Sequence, residues 1–355
     1  MASSTTRATA TVAGPPARER RRAGPLAARL LGLLAAAALL ALVTVASVAV
    51  GAKAIPPGEV LHALVHGRDS VDSTVVLDLR LPRTLLAVAV GAALGLAGVL
   101  MQALTRNPLA DPGLLGVNMG ASAAVVAAIA LWRSTDPTFF VWFAFLGAGA
   151  AAALVHLLAS RGRGGPGPVR LALAGTAVSA VLGALISVVT LLRPDVFDQF
   201  RFWGVGSVAG LPLSLLDDVL PFLAAGALLA LCLAGPLNAL ALGDDTARSL
   251  GTRVRRTRVL GMLAVTLLCG AATAAVGPIA FIGLAVPHLA RTVTGPDHRW
   301  LLPYAMVLGA VLLLCSDILG RVVARPGEVQ AGIVTAFAGA PVFIALVRRR
   351  RIAEL

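Results

Sequence analysis

Two arginines stand three residues apart in the stretch DLRLPR, residues 78–83, immediately before a long apolar run. Arg80 and Arg83 each carry a planar guanidinium group, which is the cationic group best suited to bidentate pairing with a carboxylate. Arginines beside an apolar run can instead anchor a helix end at a membrane surface, with the charged head in water. The pair therefore indicates either ion pairing with an acidic partner or anchoring of a helix.

A second group of charged residues lies in GDDTARSLG, residues 243–251. Asp244 or Asp245 suits the N-terminus of a helix, and Gly251 suits the position that follows a helix C-terminus. Ala247 and Leu250 are three residues apart and are expected on one face of that helix. These features predict a short helix across the cytoplasmic surface, able to contact a partner mechanically. A capped turn between two membrane spans is the alternative.

Patterns for metal binding are weak in this chain. His62 and His66 have the four-residue spacing of metal ligands on a helix, but no third ligand is near, which favours a solvated helix face. Cys232, Cys269 and Cys315 lie inside apolar runs, at no metal-ligand spacing from one another. We interpret them as small buried apolar residues and expect no bound metal.

The sequence lacks motifs for ATP hydrolysis and for hydrolytic catalysis. A nucleotide-binding loop of the form G-x-x-x-x-G-K-[ST] needs a lysine after glycine, and the single lysine, Lys53, follows Ala52. Neither G-x-S-x-G nor H-E-x-x-H occurs. Almost all of the 17 acidic residues lie outside the apolar runs, so no intramembrane proton relay is evident. A transporter with this sequence would take its energy from a partner; a stand-alone secondary carrier is the alternative.

The composition is that of a polytopic membrane protein. Of the 355 residues, 58% are hydrophobic and 13% are charged, and the mean hydropathy is +0.88, whereas soluble domains carry about 25% charged residues. The net charge of +13 does not indicate nucleic-acid binding, because the basic residues are distributed between apolar runs. Residues 1–25 are expected to form a disordered cytoplasmic tail, and residues 348–355 a basic cytoplasmic tail.

The sequence has ten apolar runs whose lengths are close to the roughly 20 residues that a spanning helix needs. They cover residues 26–50, 84–104, 114–131, 138–159, 169–192, 213–241, 257–276, 278–294, 301–320 and 328–347. Most of the 30 lysines and arginines fall on the side of the N-terminus, which predicts that both termini lie inside the cell. Ala87, Gly91 and Gly95 have a spacing that allows close helix packing. The predicted fold class is an all-α polytopic membrane protein with one transmembrane domain, residues 26–347.

Several long stretches resemble one family of transporters. They are LRLPRTLLAVAVGAALGLAGVLMQALTRNPLADPGLLGVNMGAS (79–122), GDDTARSLG (243–251), GPIAFIGLAVPHLARTVTGPDHRWLLP (277–303), SDILGR (316–321) and GEVQAGIVTAFAGAPVFIALV (327–347). On these stretches the chain resembles permease subunits of the FecCD type, from ATP-binding-cassette (ABC) importers of iron-siderophores, haem and vitamin B12. The resemblance covers nearly the whole chain after residue 55. It implies a BtuC-like permease fold with ten transmembrane helices in the inner membrane.

The resemblance also implies the partners of this chain. Two permeases, either a homodimer or a pair of sister chains, would lie between two ATPase subunits and an extracytoplasmic substrate-binding protein. The chain itself would be no enzyme and would bind no cofactor, because ATP and magnesium belong to the ATPase. A ferric siderophore is the expected cargo, with haem or cobalamin as the alternatives, and no nucleic-acid partner is expected.

Three arginines match positions that this family uses to dock the binding protein. Arg80, Arg83 and Arg321 would face acidic side chains on the two lobes of that protein. Such charges at a rim raise association rates and set the register of docking. Anchoring of helix ends is the alternative for the first two, and pairing with Asp317, four residues earlier on a helix, is the alternative for Arg321.

The stretch 243–251 matches the coupling helix of the family, which is seated in a cleft of the ATPase. By this resemblance Ala247, Leu250 and Gly251 would fill the cleft, and Asp244, Asp245 and Arg248 would set the charge at its edge.

Two further sets of residues are weaker candidates. In the loop TRNPLADPG, residues 105–113, Asn107 before Pro108 and Asp111 before Pro112 suit the start of turns, which indicates a structural role and a candidate lining of the inner gate. Thr176 and Ser179, in the fifth apolar run, are candidates for lining the transport cavity.

Overall fold

The computed structural model describes residues 26–132, 137–161 and 168–348, and within these ranges the chain is helical, without strands. The predicted N-terminal tail, residues 1–25, lies outside these ranges, as do residues 349–355 of the predicted C-terminal tail. The all-α fold class is therefore confirmed for the part of the chain that the structure describes.

Fifteen α-helices follow one another in the described ranges. They are α1 (Leu26–Ala49), α2 (Pro57–His66), α3 (Val71–Thr74), α4 (Leu81–Thr105), α5 (Val117–Trp132), α6 (Pro137–Ser160), α7 (Pro168–Leu192), α8 (Pro194–Gly204), α9 (Leu213–Cys232), α10 (Ala234–Ala241), α11 (Asp244–Ser249), α12 (Val254–Val276), α13 (Ile282–Thr294), α14 (His298–Val323) and α15 (Ala331–Arg348). A π-helical turn, Val75–Arg80, precedes α4, and a 3₁₀ turn, Pro112–Leu115, precedes α5.

Seven helical segments in the described residues are long and apolar enough to cross a membrane. They are Leu26–Ala49, Val71–Thr105, Thr138–Ser160, Val169–Leu192, Leu213–Cys232, Val254–Val276 and His298–Val323. The other three predicted spans correspond to α5, which has 16 residues, α13, which has 13, and α15, which has 18. A multi-pass membrane architecture follows, while the count of ten spans and the inside location of both termini stay predictions.

The predicted span at residues 213–241 is wrong as a single helix. α9 ends at Cys232, and α10 starts at Ala234 as a separate helix. Pro236 accounts for the break, because proline has no N–H to donate to the carbonyl of Cys232 in a continuous helix and its ring crowds that carbonyl.

Helix α4 is the centre of the bundle and packs against α14, α12, α13 and α9. The predicted small-residue stripe lies at the contact between α4 and α14. A Cβ atom added to Gly91 would lie 2.5 Å from the carbonyl oxygen of Gly309, and one added to Gly95 would lie 2.2 Å from that of Ala305. The two backbones therefore approach so closely that only glycine fits, as the spacing predicted.

Helix α7 lies at the margin of the bundle. Only 11% of the residues in its most apolar stretch are buried within the chain, against 78% for the segment that contains α4. Leu173, Val181 and Leu185 are exposed along it. This apolar surface must face lipid or another protein, since water does not solvate it favourably.

Candidate functional site

The carboxylate of Asp317 on α14 binds Arg83, which lies in the first turn of α4. Nε and Nη2 of Arg83 donate to the two carboxylate oxygens over 2.7–3.0 Å, and Nη1 donates to Glu328 at 2.6 Å. Arg83 is 7% exposed and Asp317 is fully buried. The bidentate, charge-assisted geometry holds the start of α4 against α14. It also gives the guanidinium group of Arg83 its hydrogen-bond acceptors within the chain.

Arg321 binds the same carboxylate from the next turn of α14. Its Nη2 lies 3.0 Å from Asp317 Oδ2, so the predicted pairing over four residues is present. Nη1 donates to the carbonyl oxygens of Ser47 and Val50 at 2.8 Å, and Nη2 donates to the hydroxyl of Ser47. Arg321 is 1% exposed. It therefore joins α14 to the C-terminus of α1, whose last carbonyl groups have no partner within the helix.

Arg80, the last residue of the π-helical turn, also caps α1. Its Nη1 donates to the carbonyl oxygens of Val48 and Ala49 at 3.0 and 2.7 Å, and its Nη2 donates to that of Lys53. The side chain is 5% exposed overall. Capping of helix carbonyls by a basic side chain is a recognised way to end a helix.

We refer to Arg80, Arg83, Arg321 and Asp317 as the outer arginine cluster, and to the end of the bundle that carries it as the outer end, following the predicted orientation. Arg83 and Arg321 share the carboxylate of Asp317, and Arg80 and Arg321 bind carbonyl groups at the end of α1. All three are almost fully buried in this conformation, but they line a second cavity of about 340 Å³ at the outer end, together with Lys53 and Glu328. Direct docking therefore stays a prediction, and the role that the structure shows is to hold helix ends together.

A cavity of about 380 Å³ adjoins this cluster. Arg83 and Glu328 form its charged wall, and Phe140, Trp203 and Gln199 contribute aromatic and amide groups. The stretch FWGVGSVAG, residues 202–210, forms part of the wall and packs closely on its neighbours: Ser207 N donates to the carbonyl oxygen of Val276 at 2.8 Å. The cavity is thus a mainly apolar recess with one charged wall at the outer end.

The predicted short helix at the opposite, inner end is α11. Gly243 precedes it, Asp244 and Asp245 lie in its first turn, and Gly251 follows it with a positive φ of 80°. These positions agree with those expected from the sequence. Asp245 and Arg248 pair with each other at 2.6 Å, and their side chains are 99% and 60% exposed, so the pair lies on the surface of α11.

Ala247 and Leu250 differ strongly in exposure. Ala247 is fully buried against the core of the chain, whereas Leu250 is 61% exposed. The backbone stays helical up to Leu250, whose N–H donates to the carbonyl oxygen of Thr246 at 3.0 Å, so a shared docking face stays a prediction. Ala247 anchors α11 on the bundle, and Leu250 is the one of the two that lies on its surface.

Asp244 is not a free edge charge, contrary to expectation. Its Oδ1 accepts hydrogen bonds from Arg106, just after α4, and from Arg258 on α12 at 3.0 Å. Arg106 also donates to the carbonyl oxygen of Leu240 at 2.8 Å. The carboxylate of Asp244 thus ties the start of α11 to the end of α4 and to α12, and Arg106 adds the contact with α10.

The loop after α4 contains the two expected turns. Asn107 Oδ1 accepts a hydrogen bond from Leu109 N at 2.9 Å, and Asp111 Oδ1 accepts one from Gly113 N at 2.8 Å. Desolvation raises the pKa of the Asp111 carboxyl, and the bond from Gly113 opposes that shift. The side-chain oxygens thereby act as local turn acceptors before Pro108 and Pro112.

The family model of the FecCD transport family matches residues 39–349. The chain belongs to the FecCD transport family. The ferric enterobactin transport system permease protein FepD of Escherichia coli is 54% identical over 313 residues, covering 88% of this chain and 93% of FepD. The probable siderophore transport system permease protein YfiZ of Bacillus subtilis is 42% identical, covering 82% and 87%. The hemin transport system permease protein HmuU of Yersinia pestis is 42% identical, covering 78% and 83%.

A solved structure of similar fold is described as an inward-facing conformation of a putative metal-chelate type ABC transporter. The two chains superpose with a TM-score of 0.78 at 29% sequence identity, over 90% of this chain and 99% of the other. The helical arrangement of this FecCD-family chain is therefore that of an ABC transporter permease.

The two cavity candidates of this FecCD-family chain lie on α7. Thr176 is exposed and its hydroxyl donates to the carbonyl oxygen of Ala172 at 2.9 Å, whereas Ser179 is half-buried and faces Gly116. Neither lines the cavity at the outer end. Their role in a transport pathway stays a prediction.

The histidine pair lies on exposed α2. The rings of His62 and His66 stack with centroids 4.3 Å apart, and Asp69 is 3.4 Å from His62. No group of three or more His, Cys, Asp or Glu side chains in the described ranges could hold a metal. Among the cysteines, Cys269 is buried as expected, but Cys232 and Cys315 are exposed on the helix surface, because an apolar run in a membrane protein has an outward face too.

Sequence reasoning missed the partners of these charged residues. Glu328 and Ser47 complete the outer arginine cluster, and Arg106 and Arg258 complete the contacts of Asp244. Only the pairing of Asp317 with Arg321 had a local signal, namely their four-residue spacing on one helix. The other pairs join distant parts of the chain.

Proposed function

We propose that this chain is the transmembrane permease subunit of an ABC importer that carries a ferric siderophore across the inner membrane. The 54% identity with FepD over 93% of its length supports this cargo class most directly. Haem and cobalamin are alternative cargoes within the same family, and HmuU at 42% identity keeps the first of them open.

A partner ATPase supplies the energy in this proposal. The sequence has no P-loop lysine, so ATP and magnesium bind to that partner, and the permease has neither cofactor nor enzymatic activity. At the inner end, α11 exposes Leu250, Asp245 and Arg248 around a helix that Ala247 holds on the bundle. An exposed apolar residue with charges on both sides suits a small docking contact.

Ten membrane spans with both termini inside are part of the proposal. Seven segments have full spanning length, and α5, α13 and α15, with 16, 13 and 18 residues, occupy the remaining three positions of the sequence pattern. Shorter helices are tolerated in a membrane where neighbouring helices surround them. The distribution of basic residues supports the same orientation.

A second permease completes the proposed transporter, either a second copy or a sister chain. The low burial of α7 supports this, because Leu173, Val181 and Leu185 leave an apolar face at the margin of the bundle. Thr176 lies on the same helix with its side chain exposed, so a passage between two permeases would place it near the cargo.

A substrate-binding protein docks at the outer end in this proposal. Arg80, Arg83 and Arg321 would meet its acidic side chains through the cavity of about 340 Å³ that they line at this end. In the arrangement described here, they stabilise the rim on which that protein sits.

Reconstitution tests the proposed function. The permease, its ATPase and its binding protein are placed in proteoliposomes with ferric enterobactin, a ferric hydroxamate, ferric citrate, hemin or cobalamin. ATP-dependent accumulation of a ferric siderophore is expected, and the permease alone should accumulate nothing. Accumulation by the lone chain under a proton gradient would support a secondary carrier instead, and exclusive transport of hemin or cobalamin would overturn the cargo.

A further inference from the structure

The loop after α4 and the helix α11 share one ion pair, between Arg106 and Asp244. We propose that this pair transmits movement of α11 to the loop 106–116 and from there to α7, so that Arg106 and Asp244 are positioning residues for transport. The inference rests on the proposed function, in which α11 contacts the ATPase.

The first step of the path is the fixed position of Arg106. Its backbone is left-handed, with φ 49°, at the residue where α4 ends. Its Nη2 binds both Asp244 and the carbonyl oxygen of Leu240, the latter at 2.8 Å. A displacement of α11 therefore pulls on a residue that begins the loop, with no flexible segment between them.

The second step is the stiffness of the loop. The turns at Asn107 and Asp111 are closed by side-chain hydrogen bonds of 2.9 and 2.8 Å, and the 3₁₀ turn Pro112–Leu115 follows at once. Two prolines restrict the backbone further. Such a loop moves as one body rather than absorbing the displacement.

The third step is the contact between the loop and α7. A Cβ atom added to Gly175 would lie 1.7 Å from the carbonyl oxygen of Leu114, so the loop backbone lies directly on the helix. On the other side, a Cβ atom added to Gly283 of α13 would lie 2.8 Å from Pro112. The loop is thus held between α13 and α7, which is the least buried of the seven segments of spanning length.

The ion pair is poorly placed to contribute stability. Between 26% and 33% of the side-chain surface of Asp244, Arg106 and Arg258 is exposed, so solvent screens this pair and its loss costs less than that of a fully buried pair. Arg258 on α12 is a second partner that keeps Asp244 paired when Arg106 is changed. Loss of the Arg106–Asp244 contact should therefore leave the protein folded and alter only the coupling between ATP hydrolysis and transport.

The test uses the full reconstituted complex and the chelate that the wild-type complex accumulates fastest. Asp244→Asn, Arg106→Gln and the double variant are compared for chelate accumulated per ATP hydrolysed, and for retention of the ATPase subunit in a pull-down. Each single variant should bind the ATPase normally and lose about fivefold or more of the transport per ATP. The double variant should lose no more than the worse single one, because the two residues act as a unit.

Asp195→Asn is the matched control, since Asp195 is an exposed carboxylate paired with Arg193 and lies far from α11 in the sequence. It should leave transport per ATP unchanged. If wild-type complex shows no ATP-driven uptake, the proposed function fails. Three results would overturn the proposed linkage between Arg106 and Asp244 when the wild-type complex transports. Asp244→Asn could keep its transport per ATP, or it could lose the ATPase subunit. The effects of Asp244→Asn and Arg106→Gln could also prove additive in the double variant. Asp244→Asn preserves side-chain volume, so it carries the test even where Arg106→Gln yields no protein.

Discussion

Arg83 and Asp317 are 234 positions apart in the chain and form a buried bidentate ion pair, with Nη2 of Arg83 2.7 Å from Oδ1 of Asp317. Arg321 adds a second guanidinium to the same carboxylate. One acidic residue therefore joins the start of α4 to the C-terminal part of α14, and through Arg321 to the end of α1. Removal of such a carboxylate leaves buried positive charges without compensation.

We expect Asp317→Asn to destabilise the chain by about 3–5 kcal/mol, because Arg83 and Arg321 lose their shared counter-ion in a buried setting. Thermal unfolding of the purified chain in detergent measures the effect. Asp195→Asn, which removes an exposed carboxylate with one arginine partner, should change the unfolding temperature little. An unfolding temperature of Asp317→Asn equal to that of wild type would contradict the structural role of the cluster.

Charge reversal at Arg80 and Arg83 separates the two roles considered for these residues. The burial of both side chains predicts that Arg80→Glu with Arg83→Glu prevents folding, since two carboxylates would face the carbonyl oxygens of Val48 and Ala49 and the carboxylate of Asp317. Quantification of folded protein in the membrane measures this alongside uptake. Normal protein levels with abolished uptake would instead support direct docking of the binding protein.

Leu250 is expected to be the apolar contact of α11 with the ATPase. Leu250→Asp should abolish retention of the ATPase subunit in a pull-down, because a carboxylate would enter an apolar contact. Leu61→Asp is the matched control: Leu61 is 64% exposed, Leu250 is 61% exposed, and Leu61 lies on α2, at the outer end. Equal retention of the ATPase by the two variants would count against the coupling role of α11.

Because α4 and α14 pack closely, we expect the stability of the chain to be sensitive to one methyl group added at their contact. Gly95→Ala should destabilise the chain by about 1–3 kcal/mol through overpacking, although alanine is the better helix former. Gly58→Ala on α2, where an added Cβ atom meets nothing within 4 Å, should be neutral or slightly stabilising. Thermal unfolding of both variants distinguishes the effects, and a stabilised Gly95→Ala would show that the helices separate there.

Much of the local structure could be predicted from the sequence. The runs that became α1, α4, α6, α7, α12 and α14 were recognisable because hydropathy over about 20 residues is a local property. Asn107 and Asp111 were identified as turn residues from the prolines that follow them, and Gly251 as the residue after a helix end. The break at Pro236 shows the limit of this reasoning, since the apolar composition continued through it.

The candidate site was predicted less completely, because its charges are compensated by residues from elsewhere in the chain. Arg80 and Arg83 attracted attention as charges beside a membrane span, yet their exposure depended on where α1 and α14 packed. Asp244 was expected at the edge of a docking helix, and its partner Arg106 lies 138 positions earlier. Sequence spacing carries no information on such pairs.

The sequence by itself determined the helical membrane class, the short helix at residues 243–251 and the charged residues at the two ends of the bundle, because composition, proline and glycine act over a few residues. Only the tertiary structure decided that Arg83 meets Asp317, that Asp244 meets Arg106, and that Ala247 is buried while Leu250 is exposed. The physical reason is that burial and ion pairing depend on which distant segments pack against a side chain.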